Sequence, residues 1–226
     1  MLGEFLWPGW KETVAGKPDD DALIGGFFDR SLATLQAAAN DPLLLRLIAE
    51  IAHAIEASIR AGGKLLIAGN GGSAADAQHH AAEFLSRYLI DRRPLPEVAI
   101  TTDTSVLTAL GNDYGFEHVF ERQVRGLGRP GDVFLAVSTS GRSPNVLRAL
   151  EAACNLGLVT VGFSGAAETS MRALCRHFLA VASSETAIVQ QIHMVAGHAI
   201  CALVERALAQ SDGSMPLCDS VTGEQN

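Results

Sequence analysis

A short apolar run bounded by glycine, followed at once by an Ala-rich helical segment, constrains this chain most. Residues 64–69 read Lys-Leu-Leu-Ile-Ala-Gly, which suits a buried parallel strand. Asn70-Gly71-Gly72 supplies a turn with two residues free to adopt positive φ. Ser73 is placed to N-cap the helix predicted from 74 to about 88. A strand that feeds a glycine turn and then a helix start leaves backbone N–H groups facing a crevice, which suits an anion. On that helix His79 and Glu83 stand four residues apart and share one face. One helix thus offers an anion site at its start and an imidazole with a carboxylate in its middle.

The remainder alternates in the same manner. Strands are predicted at 97–101, 133–137, 159–163 and 178–182, with a short helix over 106–110, another over 120–126 and a third led by Pro144. The stretch 111–116 between the first two of these is expected to be a connection. This alternation predicts an α/β fold with a doubly wound parallel sheet, which binds ligands at the carboxyl ends of its strands. Ahead of it, residues 1–20 read as a loose arm rich in Gly and Pro. Two helices follow over 21–60, the second opening on Asp41-Pro42, a good N-cap and first-turn pair. Lacking a core of their own, they are expected to pack on the following domain or on another copy of the chain. A last helix is predicted over 186–208. The expected division is an arm at 1–20, one domain at 21–210 and a polar tail at 211–226.

With 226 residues the chain can bury a real core. A formal net charge of −8 speaks against a nucleic-acid surface, which needs a basic stripe. No apolar run is expected to reach membrane-span length, and residues 1–18 lack the basic start of a signal peptide. Cys154, Cys175, Cys201 and Cys218 form no Cys-x-x-Cys pair, so a structural zinc or a disulfide framework reads poorly. The expectation is a cytoplasmic protein with no membrane or nucleic-acid partner.

Two further stretches carry chemistry. Ser138-Thr139-Ser140-Gly141-Arg142-Ser143-Pro144 places four hydroxyls at a helix start. Capping would need only Ser143, so the surplus favours phosphate binding. Neither this turn nor residues 69–73 fits the Walker or the dinucleotide pattern, so a phosphorylated metabolite is favoured over a nucleotide. The last helix carries Gln190, Gln191, His193 and His198 among apolar residues. Polar groups of two helices converging on one crevice favour a metal or acid–base site. His80 and His193 read as packing or interface residues.

At these residues the chain closely resembles the sugar isomerase (SIS) domain proteins, and among them the phosphoheptose isomerase branch, from about residue 25 to 208. The resemblance rests on 69–79 (Gly-Asn-Gly-Gly-Ser-Ala-Ala-Asp-Ala-Gln-His), 111–116 (Gly-Asn-Asp-Tyr-Gly-Phe), the Gly-Asp-Val-Phe-Leu-Ala-Val-Ser-Thr-Ser-Gly run at 131–141, and Gln190 with His198. It implies a five-stranded parallel sheet flanked by helices, in a homotetramer with active sites at subunit interfaces. It further implies one zinc per subunit, held at His79, Glu83, Gln190 and His198. The sugar phosphate would meet Asn70, Gly71, Gly72, Thr102, Asp103, Ser138, Thr139, Ser140 and Ser143, with Ser73, Glu83 and Gln190 as further candidate contacts. The chain departs from the branch at His80, where Phe is common, and at 187–191, which reads Ala-Ile-Val-Gln-Gln.

The activity implied is interconversion of sedoheptulose 7-phosphate and D-glycero-D-manno-heptose 7-phosphate through a cis-enediol. That requires a base and an acid, for which Glu83 and His198 are the natural pair. The alternatives are a binding protein of the kind that associates with a replication initiator, or an isomerase for another phosphosugar. One geometric expectation accompanies the ligand set. Gln190 and His198 are eight residues apart, about 12 Å along a straight helix. Either the helix is irregular there or the site is built from more than one chain.

Overall fold

The computed structural model describes residues 18–165 and 169–212. The expected arm up to residue 17 and the tail from 213 lie outside the described residues. Helix α1 (Pro18–Ala39) begins inside the expected arm, with Asp19, Asp20 and Asp21 in its first turn, where carboxylates favour a helix start. Helix α2 (Pro42–Arg60) opens as the sequence predicts: the Asp41 carboxylate accepts from the Leu43 and Leu44 amides at 2.9 and 3.3 Å. Its Ile48, Ile51, Ile55 and Ile59 recur at helical spacing and are buried.

Five strands follow: β1 (Leu65–Gly69), β2 (Glu97–Ala99), β3 (Val133–Val137), β4 (Val159–Ser164) and β5 (His177–Ala180). They form one sheet in the order β2-β1-β3-β4-β5, and every pair is parallel. β1 and β3 are buried along their whole length, which explains why they read as unbroken apolar runs rather than alternating ones. Successive side chains point to opposite faces and enter two separate cores. Leu65, Ile67, Leu135 and Val137 pack under α2, α3 (Gly72–Leu85) and α7 (Thr186–Asp212). Leu66, Ala68, Phe134 and Ala136 pack under α5 (Val119–Leu127) and α6 (Pro144–Leu156). Leu107 and Leu110 of α4 (Thr104–Tyr114) border this second core.

The chain therefore leaves β1 toward one face of the sheet and β3 toward the other. Neighbouring strands whose connections diverge open a crevice between their carboxyl ends, and this crevice holds the two polar turns.

Several expectations need correction. Gly111, Asn112, Asp113 and Tyr114 are helical, and α4 ends at Tyr114 because Gly115 turns to φ 90°, a conformation that stops a helix. α3 stops at Leu85 rather than Tyr88, for a reason given below. β2 spans only Glu97–Ala99, and β5 begins at His177. The membrane argument also changes. Thr186–Ala209 is long enough to cross a bilayer, with mean hydropathy 1.5. Its apolarity has a different cause: half of that window is buried inside the fold, as the central helix of the first core.

Candidate active site

Both polar turns sit where the crevice predicts, and they are joined by a contact that the sequence did not reveal. After β1, Asn70 donates to the Asn145 side-chain oxygen at 2.9 Å and accepts from its amide at 2.8 Å. Asn145 lies in the first turn of α6 and is buried. A closed pair of amides thus ties the start of one ligand-facing turn to the helix that follows the other. The only prior signal was a polar residue directly after Ser143-Pro144.

Ser73 does not cap α3. Gly71 does, at φ 55°, a conformation that an L side chain rarely tolerates, and Ser73 lies buried inside the helix. Gly72 is required for another reason: a Cβ there would collide with the Gln190 amide. Gln190 therefore rests against the glycine turn.

The second turn presents its hydroxyls to one another. Ser138 Oγ lies 3.0 Å from Ser143 Oγ and 3.5 Å from Ser140 Oγ. Ser143 occupies the N-cap position of α6 but makes no side-chain capping bond, so its hydroxyl is not spent on the helix. Two donors to a charged group contribute about 1.5–3 kcal/mol each. Ser140→Ala with Ser143→Ala should therefore weaken phosphate-ligand binding at least tenfold with little change in Tm. Unchanged affinity by calorimetry would place the phosphate elsewhere. Thr102 and Asp103 are exposed beyond β2. Asp103 caps α4 by accepting from the Val106 amide at 2.9 Å, and Thr102 donates to the Ala99 carbonyl at 3.3 Å.

Further along α3, three donors meet. Glu83 Oε1 is 3.2 Å from His79 Nε2 and 3.2 Å from His198 Nε2, and the two nitrogens are themselves 3.2 Å apart. This group could hold a metal ion. All three residues belong to one chain, on α3 and an uninterrupted α7. The continuous α7 rules out the irregular-helix alternative, whereas the shared-site alternative concerns a second copy of the chain. Gln190 is one level away, beside Gly72, and His198 alone represents α7 in the cluster. Glu83 Oε2 has no hydrogen-bond partner. Tyr88 stacks on the His198 ring, with centroids 5.6 Å apart and planes within 6°.

The surroundings are strongly polarised. Burial raises the Asp76 carboxyl, with His79 opposing, and Asp76 lines the same pocket as His79, Glu83 and His198. Burial pushes His193 down to about 4, so it is a neutral packing residue in the cavity wall, its ring 5.4 Å from Phe163. His80 lines the same pocket but pairs with buried Glu97, Nδ1 lying 2.9 Å from both carboxylate oxygens.

A profile of the SIS domain family matches residues 27–165, more than half of the chain. The chain belongs to the SIS domain family. Its similar relatives include phosphoheptose isomerases. One from Bradyrhizobium sp. (strain ORS 278) is 54% identical over 190 residues, covering 84% of this chain and 96% of the relative. Another, from Aneurinibacillus thermoaerophilus, is 50% identical over 185 residues, covering 82% and 93%. Two solved phosphoheptose isomerases share the fold. That of Neisseria gonorrhoeae superposes with TM-score 0.77 at 38% identity, over 82% of this chain and 98% of the other. That of Francisella tularensis gives 0.79 at 32% identity, over 83% and 98%.

Proposed function

We propose that this chain is an aldose–ketose isomerase interconverting sedoheptulose 7-phosphate and D-glycero-D-manno-heptose 7-phosphate. The observation that carries the reading is the convergence of His79, Glu83 and His198 beside two anion-suited turns. Relatives named phosphoheptose isomerase at 54% and 50% identity support this substrate over the initiator-associating alternative.

The reaction takes a proton from the carbon beside the carbonyl and returns one to the carbonyl carbon, so that the carbonyl moves to its neighbour through a cis-enediol. The serine turn and the start of α6 hold the phosphate through hydroxyls and helix-terminal N–H groups, with the Asn70–Asn145 pair fixing the two turns relative to each other. Glu83 takes the proton. Its carboxylate is divided: Oε1 faces both imidazoles, while Oε2 is unpartnered, and the broad terminal torsion of Glu lets one oxygen turn to the substrate. His198, stacked on Tyr88, exchanges protons with the substrate oxygens as the cis-enediol forms.

The donors fit zinc. Bonds of about 2.1 Å in a tetrahedral site put neighbouring donors roughly 3.4 Å apart, and the three separations here are each 3.2 Å. His79, Glu83 and His198, with Gln190 as the fourth ligand that the resemblance implies, would hold the ion, and bound there it would polarise the two substrate oxygens.

Incubation with sedoheptulose 7-phosphate in D2O, followed by chromatography and mass spectrometry, tests the activity. The expected result is an isomeric aldose carrying one solvent deuteron. No product from this ketose, with turnover of another phosphosugar, would overturn the substrate assignment.

We further propose a homotetramer in the cytoplasm. Leu23, Ile24, Phe28 and Leu32 of α1 remain exposed although α1 touches α7, so an apolar stripe is left for other copies. A single-chain mass in sedimentation equilibrium would overturn this. A charged sugar phosphate also suits an enzyme on the inner side of a membrane, because ions cross hydrocarbon poorly. Since the two imidazoles face each other within one chain, mixing inactive His79→Ala with inactive His198→Ala subunits should restore no activity. Recovery after confirmed subunit exchange would show a site shared between chains.

A further inference from the structure

Helices α3 and α7 run side by side and meet at three successive levels. Gln190 rests on Gly72 at the first, and His198 meets His79 and Glu83 at the second. The third lies seven residues beyond His198, where α7 presents Glu205. The Glu205 carboxylate accepts from three consecutive backbone amides, Tyr88 at 2.9 Å, Leu89 at 2.6 Å and Ile90 at 3.0 Å. It also pairs with Arg92 Nε at 3.1 Å, both side chains being at most 2% exposed.

The Arg92 guanidinium then turns back onto the end of α3. Its Nη2 donates to the Glu83 carbonyl at 2.8 Å, and its Nη1 donates to the Phe84, Ser86 and Arg93 carbonyls at 2.7, 3.2 and 3.1 Å. The last carbonyls of a helix lack partners within it and favour a cation, which is why α3 ends at Leu85 rather than continuing to Tyr88. The same ion pair therefore grips the peptide unit of Glu83 from one side. From the other it shapes the turn that lays the Tyr88 ring on His198.

A buried ion pair does not by itself make a protein more stable, since apolar packing can serve equally well. What this pair supplies is register. We propose that Glu205 and Arg92 are positioning residues, locking α3 against α7 so that Glu83 and His198 keep their spacing and the His198 ring keeps its plane. The proposal rests on the reading of Glu83 and His198 as the acid–base pair. It follows from the sensitivity of such pairs, for which a 1 Å misplacement can cost 10²-fold in rate.

Glu205→Gln and Arg92→Lys test this. Gln turns an amide toward backbone donors, and Lys cannot reach the Glu83 and Phe84 carbonyls with a fork. Both variants should keep a native circular dichroism spectrum. The kcat for sedoheptulose 7-phosphate should fall tenfold or more, with KM changed less than threefold. Zn2+ affinity of the metal-free protein, measured by chelator competition, should fall at least tenfold, while inorganic phosphate binding at the serine turn, whose helix α6 packs in the other core, should stay within twofold. A folded Glu205→Gln protein with parental kcat and Zn2+ affinity overturns the proposal. If that variant does not fold, the same parental values in Arg92→Lys overturn it. Parallel loss of phosphate binding also overturns it, since that marks general loosening rather than lost register. Should the parent protein not isomerise sedoheptulose 7-phosphate, the activity reading fails, and the Zn2+ measurement still decides whether the pair positions the cluster.

Discussion

Glu83→Gln should lower kcat for isomerisation by roughly 10² or more, the usual contribution of a positioned base, while the protein stays folded. The amide keeps the shape of the side chain but has little affinity for a proton. Glu83 is largely enclosed, with 13% of its side chain exposed, so an isosteric change is needed to separate chemistry from packing. The amide also replaces one metal-capable oxygen, so Zn2+ affinity must be measured beside the rate. A loss of rate with Zn2+ retained assigns the proton transfer to Glu83. Near-parental kcat would make Glu83 a ligand or a structural residue and reassign the base.

The second large effect concerns stability. His80→Phe should cost about 3–5 kcal/mol, because it strands the Glu97 carboxylate without its partner. For a chain of this size that lowers Tm by on the order of 10 °C. Glu97 is 2% exposed and His80 6%, so water cannot substitute. The His80→Phe, Glu97→Leu double variant should recover most of the loss, since the ring already stacks on Phe84 at 5.0 Å and an apolar pair can replace a buried ionic one. A single variant as stable as the parent would show that Glu97 is neutral without His80.

The pair also sets a pH dependence. Burial alone would lower His80, but the charge and hydrogen bond of Glu97 outweigh it and raise His80 above its ordinary 6.5. Burial raises Glu97 as well, with His80 opposing. Both shifts mean that the folded state holds the proton more tightly than the unfolded chain. The stabilisation contributed by His80 is full below pH 6.5 and is lost as pH rises through the raised value. The parent should therefore lose Tm above neutrality more steeply than the double variant in a calorimetric pH series.

Much of this architecture was legible because local and global signals agreed. β3 was bounded correctly, and Asp41 and Pro42 announced the start of α2, since an unbroken apolar run and a cap-plus-proline pair carry their own physics. The pairing of His79 with Glu83 followed from helical spacing, and the resemblance singled out His198 on the last helix. What remained hidden depends on pairing over long sequence distances. Asn145 looks like an ordinary helix residue until Asn70 closes on it. Glu205 and Arg92 look like solvated charges until α7 lies along α3. Ser73 was misplaced as the helix cap. The glycine turn tightens two residues earlier than a serine cap would need, leaving at Gly72 a space that the Gln190 amide fills.

The division of the sheet into two cores separates two kinds of evolutionary freedom. The helix behind the serine turn, α6, is anchored in the compartment of Leu66 and Phe134, whereas α3 and α7 stand on Ile67 and Leu135. Drift in the first compartment can retune how an anionic tail is seated. The second, which carries the cluster of His79, Glu83 and His198, keeps its own floor. A lineage could thus change the length of the sugar that it accepts by altering one half of the molecule, with the other inherited intact.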